Sequence, residues 1–159
     1  MITVAVLTLS DKGSRGERID ESGPAIAEIL KGTGEVKFYD ILPDERALIR
    51  DRLLKYAGKV DLILTTGGTG LSPRDVTPEA TRDVIEREIP GIAEAMRAEG
   101  LKKTKNAMLS RAIAGVKRET LIINLPGSPK AVRESLTVII DALSHAVEKI
   151  KGCPGDCAR

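Results

Sequence analysis

The chain has 159 residues, of which 42% are hydrophobic and 30% charged, and a formal net charge of +2. These values describe one soluble globular domain. With 2% aromatics, no Trp and no Lys/Arg block, the chain lacks both the stacking platforms and the basic face that a nucleic-acid partner requires.

The N-terminal stretch has no basic leader region and runs directly into an apolar segment. No apolar run approaches the ~20 residues that span a bilayer. No membrane partner is expected, and the location is read as cytoplasmic. Residues 2–9 read as a buried strand. A polar loop of mixed charge follows over 10–23, long enough in a small domain to suggest a role beyond connection. A helix is expected from Pro24 to about Lys31, a second strand over 36–42, and a helix from Glu45 to about Ala57 with Ile49, Leu53 and Ala57 on one face.

The apolar run Leu62-Ile63-Leu64 is a third buried strand, ending in Thr65-Thr66-Gly67-Gly68-Thr69-Gly70. Three glycines in four residues allow positive φ and a close approach of ligand to backbone N–H groups. Thr77-Pro78-Glu79 then opens a helix expected to reach about Glu88, with Thr77 as N-cap. Pro90-Gly91 breaks it, and residues 92–98 resume a helix. A short helical piece is expected over 107–111, and residues 112–116 and 120–125 pair as a hairpin. Pro126-Gly127-Ser128-Pro129 leads into a last helix whose apolar residues, from Val132 to Ile150, recur at steps of three and four. Strands alternating with helices give a three-layer α/β fold, a mostly parallel sheet with helices on both faces. It forms a single domain over 1–159, with 152–159 as a flexible tail. Cys153 and Cys157, spaced C-x3-C, read as free thiols in that tail.

Ligands in such sheets bind where strands end. Four polar loops leave the strands there, at 10–23, 43–44, 67–75 and 126–129. The sequence holds no Walker-type phosphate loop, no dinucleotide-binding G-x-G-x-x-G after the first strand and no G-x-S-x-G. Its only histidine, His145, lies deep in the last helix and reads as packed or interfacial. What remains is a glycine loop that cradles phosphate beside carboxylates able to carry Mg²⁺. Each part has a plainer reading. Asp44 can be an N-cap, Asp75 an Asx-turn brace, Ser128 an N-cap, and Asp11 and Asp20 solvated loop charges.

The blocks 65–70, Arg74-Asp75-Val76-Thr77-Pro78-Glu79-Ala80-Thr81 and Pro126-Gly127-Ser128-Pro129-Lys130 together resemble the MogA/MoaB-type molybdenum-cofactor biosynthesis family, which includes the G domain of gephyrin. Ser10-Asp11, Ser22-Gly23-Pro24 and Pro43-Asp44-Glu45 fit the same pattern. The resemblance implies a nucleotidyltransferase, a molybdopterin adenylyltransferase that uses ATP and Mg²⁺ and releases pyrophosphate. It assigns Asp44 and Asp75 to catalysis and the metal. It assigns Ser10, Asp11, Gly67, Gly68, Thr69, Gly70, Glu79, Pro126, Gly127 and Ser128 to holding the substrates. It further implies a homo-oligomer, with a trimer favoured, and the molybdate-inserting enzyme as a partner. The alternative is a non-catalytic pterin-binding or scaffold protein of the same fold.

Overall fold

Strand β1 (Ile2–Leu9) sends Val4 and Val6 into one apolar layer and Ala5, Leu7 and Leu9 into another. A strand covered on both faces is apolar at almost every position, which is why this segment shows no clean alternation. In the computed structural model, which describes residues 1–154, β1 lies inside a six-stranded sheet. Its parallel neighbours are β2 (Gly34–Leu42) on one side and β3 (Leu62–Thr66) on the other. Strand β6 (Thr120–Leu125) continues the parallel run beside β3. Strands β5 (Ala114–Lys117) and β4 (Arg87–Glu88) finish that edge by antiparallel pairing, so the order is β2-β1-β3-β6-β5-β4.

Helices α2 (Ser22–Ile29), α5 (Pro90–Leu101) and α6 (Pro129–Ile150) cover one face. Ile26, Met96, Leu136 and Leu143 meet Leu62, Leu64 and Ile123 there. Helices α3 (Arg46–Tyr56) and α4 (Thr77–Arg82) cover the other face, where Ile49, Leu53 and Ala80 meet Ile63 and Ile122. The expected α/β sheet and the 120–125 hairpin arm are both present. The hairpin turns at Arg118, whose φ of 54° is the one positive value outside glycine among the described residues.

Several boundaries differ from the sequence reading. Helix α2 starts at Ser22, ahead of Pro24, and a one-turn helix α1 (Asp11–Ser14) lies inside the first loop. Helix α4 stops at Arg82 rather than near Glu88, because residues 87–88 pair with β5 instead. Pro90 opens α5 rather than breaking a helix, since a proline at the first helical position lacks only an N–H that has no partner there. The short helical piece is a 3-10 turn, Lys105–Leu109. His145 is exposed on α6, not packed. Cys153 is a free, exposed thiol, and Cys157 lies outside the described residues, as does most of the expected tail. No helix among the described residues is long and apolar enough to cross a membrane.

The strand order places the site. The chain leaves β1 outward to β2, but leaves β3 in the opposite direction toward β6. Diverging connections open a crevice beyond the carboxyl ends of β1 and β3.

Candidate functional site

The crevice is floored by the turn that ends β3. Gly67 and Gly68 both adopt positive φ, 98° and 65°. A Cβ at Gly67 would strike the Leu9 carbonyl, and one at Gly68 would strike Thr77 Oγ1. Glycine is therefore required twice, by conformation and by space. Thr77 holds the turn: its Oγ1 donates to Gly67 O at 2.9 Å and its N–H to Gly68 O at 3.1 Å. Thr77 is consequently the first residue of α4 and not its N-cap; Val76 occupies that position. Behind it, Thr81 Oγ1 donates to Thr77 O, and the buried Asn124 donates from Nδ2 to Thr65 Oγ1 (3.0 Å) and Thr81 Oγ1 (2.9 Å). This hydroxyl and amide network ties β6 and α4 to the glycine turn, and no buried side-chain polar atom among the described residues lacks a partner.

Two carboxylates flank the turn. Asp44 Oδ1 lies 3.1 Å from where a Gly68 Cβ would stand, and Asp75 Oδ2 lies 2.8 Å from that of Gly70. Asp44 does not cap α3, whose N-cap is Glu45. Instead Asp44 and Asp11 each accept the other's backbone N–H at 3.0 Å, which staples the loop after β2 to the loop after β1. Burial pushes the Asp44 pKa up, with the charges of Asp11 and Asp75 adding to the effect. The guanidinium of Arg74, bonded to Asp11 at 2.8 and 3.0 Å, holds the Asp11 pKa down. Asp75 braces its own loop, accepting Ser72 N–H at 2.9 Å.

Asp20 and Asp11 are not solvated charges. Asp20 accepts the Thr8 hydroxyl (2.7 Å), the Tyr39 hydroxyl and the N–H groups of Ser22 and Gly23 (2.9 and 3.1 Å). It thereby satisfies the first amides of α2. Burial, and then the Asp20 carboxylate, push the Tyr39 pKa up to about 12.

Among the residues singled out from the sequence, Ser10, Asp44, Gly67, Gly68, Asp75, Gly127 and Ser128 line one cavity of about 410 Å³. The start of α6 faces it: Ser128 is the N-cap, with Ala131 N–H donating to its Oγ at 3.2 Å. Ser22 Oγ donates to Gly127 O and Thr66 Oγ1 to Pro126 O, both at 2.7 Å, which fixes that loop from two sides. Thr69, Gly70 and Pro126 line a separate, more apolar cavity of about 290 Å³ beside Ala93, Met96 and Ala112. Asp11 stands behind Asp44, and Glu79 lines neither cavity, because it is paired with Arg111. The Arg111 guanidinium holds the Glu79 pKa down. Ser22, part of a block that fits the family pattern, lines the larger cavity as well, as do Arg18 and Asp20, neither of which the sequence pointed to as a site residue.

The arrangement can grip a phosphorylated ligand through the amides of Gly68 and Lys130, at the glycine turn and the α6 N-terminus; the Gly67 N–H already donates to Leu125 O. Among the described residues no group of three or more His, Cys, Asp or Glu is arranged to hold a metal. The two hard carboxylates still suit Mg²⁺, which ordinarily takes one or two carboxylates and completes its shell with water and substrate phosphate.

Comparison with known proteins agrees with this geometry. Residues 5–145 match the family described as a probable molybdopterin binding domain. A molybdopterin adenylyltransferase of Helicobacter pylori is 44% identical, the match covering 95% of this chain and 89% of that protein. Gephyrin of Dictyostelium discoideum is 46% identical over 95% of this chain, which spans 23% of that longer protein. The crystal structure of a molybdopterin biosynthesis enzyme, MoaB, from Thermus thermophilus is 53% identical, with a TM-score of 0.91, covering 98% of this chain and 100% of that one. The glycine turn, the paired aspartates and these matches together show that the chain belongs to the MogA/MoaB-type family of molybdenum cofactor biosynthesis.

Proposed function

We propose that the protein is a molybdopterin adenylyltransferase: it joins the adenylyl group of ATP to the terminal phosphate of molybdopterin and releases pyrophosphate. The observation that carries this reading is the meeting of Asp44 and Asp75 with a positive-φ diglycine turn in one cavity. An oxygen of the pterin phosphate attacks the α-phosphorus of ATP, and the bond from that phosphorus to the pyrophosphate oxygen breaks. The attacking phosphate is already anionic, so no general base is needed, which suits a cavity without histidine.

Asp44 and Asp75 would hold Mg²⁺, which supplies charge neutralisation on the phosphate oxygens. The amides of Gly68 and of the first turn of α6 receive phosphate oxygens, with Ser10, Gly67, Gly127 and Ser128 shaping the wall. Thr69, Gly70 and Pro126 act from the other side of the same loops. Of the cations near the site, Arg74 is committed to Asp11 and Arg15 to Glu17. Arg18 faces the cavity and is the cation best placed to meet the leaving pyrophosphate. Asp11 and Glu79 support this site without touching ligand.

The protein is further proposed to act as a homotrimer in the cytoplasm and to pass its adenylated product to a molybdate-inserting enzyme. Light scattering on the purified protein tests the trimer. The activity is tested by incubating protein with molybdopterin, ATP and Mg²⁺ and measuring pyrophosphate. Release is expected from the wild type and lost in Asp75→Asn; a fully active Asp75→Asn removes that residue from the mechanism. The 46% identity to a gephyrin supports a second reading, a scaffold that binds the pterin without chemistry. Titration calorimetry separates the two, since a scaffold would bind molybdopterin with no pyrophosphate released when ATP is present.

A further inference from the structure

Arg111 bonds to the glycine loop without lining the larger cavity. Its Nε donates to Gly70 O at 2.8 Å and a terminal nitrogen donates to Asp75 O at 2.7 Å. The other terminal nitrogen pairs with the Glu79 carboxylate, and the backbone N–H donates to Thr69 O at 2.9 Å. One side chain thus spans the start of the loop, its end and the first turn of α4. Arg111 is itself fixed: Arg97 donates to the carbonyls of Ser110 (3.3 Å) and Ala112 (2.9 Å) on either side of it.

We infer that Arg111 is a positioning residue that sets where the Asp75 carboxylate stands, and that Glu79 orients Arg111 instead of meeting ligand. Asp75 is otherwise held only within its own loop, its carboxylate by Ser72 N–H and its N–H by Ser72 O. That loop is exposed from Leu71 to Arg74, so it has little burial to restrain it. Beyond the largely exposed Arg74–Asp11 pair, Arg111 is the attachment that joins it to the body of the protein, through the Gly70 and Asp75 carbonyls. Glu79 neutralises the guanidinium, leaving Arg111 to act through geometry and not through charge in the cavity. The three donations need a planar fork; a lysine ammonium is a single point and cannot reach all three acceptors.

The kinetic part of this inference rests on the adenylyltransferase reading; the exchange part does not. In Arg111→Lys and Arg111→Ala, amide hydrogen exchange over residues 69–76 is expected to quicken about tenfold, the scale of one charge-assisted hydrogen bond, while β1, β3 and α6 keep their protection. Turnover is expected to fall about 100-fold, as for misplacement of a reacting group, with little change in KM for ATP. Guanidinium ion should restore part of the activity of Arg111→Ala. Unchanged exchange over 69–76 overturns the inference, and so does full turnover in Arg111→Ala or the absence of any rescue by guanidinium. A wild type that releases no pyrophosphate defeats the proposed function instead, and the exchange measurement still decides the role of Arg111.

Discussion

Asp44 is costly to the fold. Its pKa is raised by burial, so the carboxylate ionises less readily in the folded protein than in the unfolded chain. Its favourable contribution is complete only below the unfolded pKa and is lost as pH rises through the folded value. Asp44→Asn keeps an acceptor for the Asp11 N–H without the charge. That variant should be at least as stable as the wild type at neutral pH, with the gap in urea midpoint closing as the medium is made acidic. A lower midpoint at pH 7 would show that the ionised carboxylate stabilises. Asp11 behaves oppositely: Arg74 lowers its pKa, so its contribution is present above the unfolded value and is lost as pH falls through the folded one. Arg74→Gln should therefore lose stability at neutral pH and little in acid, measured by the same midpoints. An activity limb on the acid side is also expected, set by protonation of Asp44 at a pH above the ordinary aspartate range.

Among the elements, the junction of β3, its glycine turn and α4 is the least tolerant of change. Gly68→Ala meets both a positive φ and the Thr77 hydroxyl, and should cost more than the ~1 kcal/mol by which the same change stabilises relaxed positions. Asn124→Leu deprives the hydroxyls of Thr65 and Thr81 of their shared partner inside the sheet, at about 1–3 kcal/mol by chemical denaturation. This junction was half legible. Glycine clusters and Pro-Glu helix starts announce themselves locally, so the turn, α4 and the Ser128 cap could be read in the sequence. The partner of Thr77 could not, because a threonine before proline at a helix start looks the same whether it caps the helix or anchors a turn. The Glu79–Arg111 pair joins residues 32 apart through tertiary structure alone, so nothing in the sequence around Glu79 announced it. Asp20 looked like a loop charge because the hydroxyls it accepts, from Thr8 and Tyr39, come from β1 and β2, while its bonds to the Ser22 and Gly23 N–H groups are local. The two-residue β4 is too short for any periodicity to show.

For the molecule as a whole, stability lies in the sheet and not on the surface. Ile123 is fully buried, packed in the larger of two apolar layers. Ile123→Ala should cost about 2–5 kcal/mol. Most ion pairs among the described residues, such as Arg15–Glu17 and Arg133–Glu28, are more than half exposed on at least one partner. Raising salt from low to half-molar should shift the melting temperature little; a large drop would show that surface charge contributes more than such pairs usually do.

Strand β6 takes a place in the middle of the sheet although five other strands precede it in the chain. During synthesis, both aspartates and the diglycine bend emerge well before the strand that carries Asn124 and leads to Ser128. A nascent or nicked chain ending short of Thr120 would own the acidic groups yet lack the strand that pairs with β3 and ties the glycine turn into the sheet. Such a fragment should ignore ATP and pterin alike, so ligand occupancy reports on completion of the polypeptide as well as on its chemistry.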